Sequence, residues 1–130
     1  MNDCSVIIVF DGNGRTYRPG EELSGEYRLE TAAPGEIKAV EVSVLWHSEG
    51  KGDEDLAVHE FWRFSTEDGD WIDPGRPARF STVLPNSPMS YDGLIVKILW
   101  CVRVRVFFHR GKDVVAQKPF QLGAVPAIEV

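Results

Sequence analysis

Residues 94–108 limit the possible folds more than any other stretch of the chain. Ile98, Trp100, Val102, Val104, Val106 and Phe108 fall on one phase, with Leu99, Cys101, Arg103, Arg105 and Phe107 on the other. Alternation at period two predicts a β-strand, because successive side chains of an extended backbone point to opposite faces. At about 3.3 Å per residue the segment would run roughly 50 Å, so a bend or bulge is expected near its start. Lys97, Arg103 and Arg105 interrupt it, which excludes a membrane span.

Shorter segments repeat the pattern. Residues 5–10 form a β-branched run that ends at the turn signal Asp11-Gly12-Asn13-Gly14. Arg18-Pro19-Gly20-Glu21 predicts a type II turn, since Pro19 presets φ and Gly20 supplies the positive φ needed next. Residues 23–29 alternate as a half-buried antiparallel strand. After a break at Ala33-Pro34-Gly35, residues 37–46 place Val40, Val42, Val44 and Trp46 on one side. Residues 48–55 read as an acidic, glycine-rich hairpin loop. In residues 56–65, Asp53 or Asp55 could cap a short helix, yet Leu56, Val58, Trp62 and Phe64 share a face at period two. Strand is preferred, because Trp62 and Phe64 suit a pleated surface. Residues 67–77 are polar and turn-rich, and residues 78–84 and 114–122 complete the set. Seven or more strands and no helix predict an all-β, two-sheet, immunoglobulin-like sandwich, mostly antiparallel. The Cys…Trp…Cys spacing of antibody domains is missing.

The 130 residues suit one domain, 1–130, with 43% hydrophobic and 26% charged residues, which excludes a disordered chain. Net charge −6 argues against a nucleic-acid partner, which needs a basic face. The charge is unevenly spread: residues 1–73 hold 17 acids and 6 bases, residues 74–130 hold 3 acids and 8 bases. No secretory signal pattern opens the chain, so a cytoplasmic location is expected. Cys4 and Cys101 form no framework and are expected as free thiols, although a bridge between them stays open.

Two stretches carry a resemblance. The first is Tyr17-Arg18-Pro19-Gly20-Glu21-Glu22-Leu23-Ser24-Gly25. The second runs from Phe80 through Leu84-Pro85-Asn86-Ser87-Pro88-Met89-Ser90-Tyr91-Asp92-Gly93 into the long strand. With the intervening Ile37-Lys38-Ala39-Val40-Glu41-Val42, their order and spacing resemble the arrestin-like family, specifically its N-terminal lobe. The resemblance spans roughly residues 5–122. It implies a sandwich of arrestin type and a non-catalytic scaffold or adaptor that binds a partner protein. Family members have two such lobes, and this sequence has one, so pairing of two copies into a homodimer is a further expectation.

Little points to chemistry. His47 and His59 flank the acidic loop of Glu49, Asp53, Glu54 and Asp55, but no metal-ligand spacing occurs among them. Glu67, Asp68, Asp70 and Asp73 surround Trp71 in a loop, where paired carboxylates would not be held across a cleft. No nucleophile motif appears, and Asp11-Gly12-Asn13-Gly14 lacks the third glycine and helix of a phosphate cradle. Catalytic, metal and cofactor sites are therefore expected to be absent, and the chain is not expected to be an enzyme. The candidates for partner binding are Arg103, Arg105, Phe107 and Trp71. Arg103 and Arg105 share a phase: either they pair with Glu26, Glu30 or Glu41 on neighbouring strands, or they form an exposed basic strip with Phe107 as an apolar anchor. Trp71 leaves a sugar-stacking module as an alternative, and a structural subunit of a larger assembly is another.

Overall fold

The structure, a computed structural model, describes residues 4–12, 16–30, 32–33, 35–52 and 54–123. The expected turn at Asn13-Gly14, the break at Pro34, the cap at Asp53 and residues 1–3 lie outside the described residues. Eight strands occur among the described residues: β1 (Ser5–Phe10), β2 (Glu22–Glu30), β3 (Ile37–Gly50), β4 (Leu56–Ser65), β5 (Ala78–Val83), β6 (Tyr91–Asp92), β7 (Val96–Phe108) and β8 (Val114–Phe120). A single 3-10 turn, Thr66–Asp68, follows β4. One sheet has the order β1-β2-β5. The other runs β4-β3-β7, with β6 and β8 both on the far side of β7. Every strand pairing is antiparallel. The fold is the two-sheet sandwich of arrestin type that the alternation and the motifs predict.

The core forms where the apolar phases meet. Val40, Val42 and Val44 of β3 and Trp100, Val102, Val104 and Val106 of β7 are buried against Ile8, Phe10, Leu23, Tyr27, Leu29 and Phe80 of the smaller sheet. At one end Phe10, Tyr17 and Phe120 meet edge to face, with ring centroids 5.8–6.5 Å apart. Trp100 lies 5.8 Å from Phe120 and donates its Nε1–H to the Pro88 carbonyl at 2.7 Å. Trp46 and Trp62 pack at the margin of this core rather than within it. Burial pushes the Tyr27 hydroxyl up to about 12. The turn at Arg18–Glu21 closes as its residues require, with Gly20 at φ +82° and Glu21 N–H donating to Arg18 O at 3.0 Å.

Two expectations are corrected. The long strand starts at Val96, leaving Leu94 and Ile95 outside it and exposed. Its register irregularity lies at the opposite end, between Ile37 and Ala39 of β3. β3 matches β7 along its full length, so the pair twists as one ladder without an early break. In β4 the strand is present, but its expected common face is not. The register shifts between Val44 and Leu45, leaving His59 as an extra residue. A bulge reverses the alternation beyond it. Leu56 and Val58 therefore share a face with Phe61, whereas Trp62 and Phe64 take the opposite one, Trp62 packed against the core and Phe64 still 39% exposed.

The two long edges of the sandwich are tied by side chains. On one side Lys118 Nζ donates to Ile8 O at 3.2 Å. On the other, His59 Nε2 donates to Val83 O at 2.8 Å and Thr82 Oγ1 to Glu60 Oε1 at 3.2 Å.

Candidate functional site

The outer face of the five-stranded sheet is built row by row from its registers. Val58, Leu45, Cys101 and Pro119 lie side by side across β4, β3, β7 and β8. The next row is Phe61, Ser43, Arg103 and Gln117, and the one after it Arg63, Glu41, Arg105 and Val115. Ser65, Ala39 and Phe107 follow. A solvated sheet face normally alternates to polar residues throughout. Here the middle columns mix the two kinds: Leu45 is 1% exposed and Cys101 3% exposed, while Ser43, Glu41, Arg103 and Arg105 fill the next two rows. Around them Leu56, Val58, Phe61 and Val115 remain 42–54% exposed. No described element covers this face.

Charges of both signs lie along the face: Lys97 stands opposite Glu49 in register, and Arg105 opposite Glu41. Beyond the Leu56–His47 row, the β3–β4 turn brings Glu49, Glu54 and Asp55 to one end, where a cavity of about 590 Å³ opens over Leu99, Cys101 and Arg103. His47 Nε2 meets Glu49 Oε1 at 3.2 Å there. Arg103 lines that cavity, and Arg63 and Arg105 lie one row further on. Arg63 pairs with Glu41. Arg105 Nε lies 3.4 Å from Asp113 Oδ2. Phe107 sits between the guanidinium groups of Arg63 and Arg105, 5.7 and 6.0 Å from its ring centre. Arg103 has no ion pair among the described residues, and its Nε is enclosed without a hydrogen-bond acceptor. Burial pushes the Cys101 thiol up, and the Arg103 charge opposes this only in part. Cys101 stays a protonated thiol whose Sγ–H donates to Gln117 Oε1 at 3.5 Å. Both cysteines are free.

Arg103, Arg105 and Phe107 are thus brought together on one face. Of the acids considered for the two arginines, Glu26 and Glu30 belong to β2 in the other sheet, and Glu26 bonds Arg28. Glu41 stands opposite Arg105 in register yet bonds Arg63. Trp71 is elsewhere. It is 85% exposed and borders a small cavity with Tyr27, Leu29, Phe64 and Arg76 at an opening between the sheets. The apolar contribution of Leu56, Val58 and Phe61 was not visible in the sequence, because the bulge at His59 hides it. Among the described residues no cluster of three His, Cys, Asp or Glu side chains stands ready to hold a metal ion. No helix among them is long and apolar enough to cross a membrane.

This geometry defines a β-sandwich of arrestin type whose larger sheet leaves apolar and charged side chains uncovered on its outer face among the described residues. Among solved structures it is similar to Spo0M, the sporulation control protein of Bacillus subtilis, with a TM-score of 0.68 and 16% sequence identity over 96% of this chain. The chain spans about half of that protein, 51% of its length. No family model and no curated protein sequence matches.

Proposed function

We propose that this chain is a single arrestin-like domain that binds a partner protein through the outer face of its five-stranded sheet and performs no catalysis. The observation that carries the reading is the combination on that face of exposed Leu56, Val58 and Phe61 with Arg103, a cation enclosed at its Nε and without an ion pair among the described residues. Apolar contacts would supply most of the affinity and the arginine orientation and specificity. The likeness to a control protein of the same fold is compatible with a regulatory scaffold, acting in the cytoplasm.

Site-specific photocrosslinking tests the reading. A crosslinker at Val58 or Gln117 is expected to trap protein, whereas one at Arg28 or Ser81, on the outside of the smaller sheet, is not. Equal capture from both faces, or none from either, overturns it.

A second reading rests on Trp71, whose ring is almost fully exposed beside the opening between the sheets. Aromatic rings so placed stack on sugar rings. A glycan that quenches tryptophan fluorescence in the wild type but not in Trp71→Ala would favour it over the protein-binding reading.

A further inference from the structure

We infer that the opening between the sheets beside Trp71 binds a small uncharged aromatic compound carrying one oxygen acceptor, of the phenol class. The inference is independent of the protein-binding reading, because this site lies between the sheets and not on the outer face of the larger one. The cavity there measures about 150 Å³. A cavity of that size accommodates a benzene-sized guest. Its lining comes from both layers, with Tyr27 and Leu29 from β2 and Val40 and Phe64 from β3 and β4. Leu29 and Val40 are buried, so the inner end is mostly apolar.

One polar group interrupts that lining. Tyr27 is 5% exposed, and its hydroxyl makes no hydrogen bond among the described residues. Buried tyrosine hydroxyls normally have a partner, since an unmet donor is costly. Ile8 of β1 and Ala78 of β5 flank Tyr27 in register, so its backbone is held on both sides. Burial also keeps the O–H protonated at neutral pH. An oxygen on the guest supplies the acceptor this donor lacks. The rim sets the guest's charge. Asp73 and Arg76 both border the cavity and lie 3.7 Å apart, so neither sign is favoured at its mouth. An ion would also lose its hydration against Leu29, Val40 and Phe64. The rings favour an aromatic guest. Phe64 and Trp71 border the cavity while 39% and 85% exposed, and a flat guest gives both a ring to pack on. The backbone around Trp71 is pinned. Ser65 N–H donates to Asp70 Oδ2 at 2.9 Å before it, and Gly75 N–H to Asp73 Oδ1 at 2.8 Å after it.

Four probes test the site by isothermal titration calorimetry on the full chain: phenol, benzene, benzoate and glucose. Phenol is expected to bind at one site with a dissociation constant on the order of 1 mM. Benzene, which shares its ring, is expected to bind as well. Benzoate and glucose are expected to show no binding at concentrations that saturate phenol. Tyr27→Phe is expected to weaken phenol about tenfold, the worth of one buried hydrogen bond, and to leave benzene unchanged. That split is a readout that loosened packing could not give, because loosening would weaken both probes. Trp71→Ala is expected to weaken phenol and benzene alike, by about threefold or more. Absence of saturable phenol binding overturns the inference. So does a Tyr27→Phe variant that binds phenol as the wild type does, or one that loses benzene equally. Glucose binding in place of phenol also overturns it and leaves the sugar-stacking reading of Trp71 standing. None of these failures touches the protein-binding face, which the crosslinking experiment tests separately.

Discussion

Single positions set several of the energies. Gly25 sits in the central strand of the smaller sheet, where an added Cβ would lie 2.4 Å from Val9 O and 2.9 Å from Phe80 Cζ. Backbone on one side and a buried ring on the other leave no room to yield. Gly25→Ala is expected to cost about 2 kcal/mol or more, read as a fall in the urea midpoint. Tyr27 gives a pH signature. With its folded pKa near 12 against about 10 unfolded, the unfolded chain releases its proton first. The stabilisation is complete below about pH 10 and is lost as the pH rises through about 12, up to about 2–3 kcal/mol. Urea midpoints measured across that window should fall steeply for the wild type. Tyr27→Phe should remove this component of the slope.

At the level of the strands, packing separates the residues that hold the fold from those that present a surface. Trp100→Phe removes the donor to the Pro88 carbonyl and part of the contact with Phe120, and is expected to cost about 2 kcal/mol. Phe61→Ser, on a side chain half exposed, should change the urea midpoint by no more than about 0.5 kcal/mol while weakening partner binding. Strand identity was legible in the sequence because alternation is local: the inner phases of β3 and β7 can be read off each segment alone. The grouping of Arg103, Arg105 and Phe107 was legible for the same reason. The course of β4 was not. One extra residue at His59 moves Leu56 and Val58 to the opposite face, and only pairing with β3 reveals it. The counterion of Arg105 was likewise missed, since Asp113 arrives through the β7–β8 hairpin and not from the acidic strands considered.

Seen whole, the molecule turns its charge asymmetry into geography. The acid-rich first part of the chain supplies the turn at one end of the open face, and the base-rich remainder supplies β7 with its arginines.

The ladder between β3 and β7 also governs how this molecule forms. Its partners are far apart in the chain, from Gly50 with Val96, 46 positions away, to Ile37 with Phe108, 71 positions away. No local hairpin can seed the central pair of the larger sheet, and the entropy of closing that long loop is spent before the contacts can repay it. Folding in milliseconds to seconds is therefore expected, well slower than for a helical chain of equal length. During that interval the edge of β3 that will receive β7 stands unpaired, so newly made chains are most prone to aggregation before β3 and β7 have met.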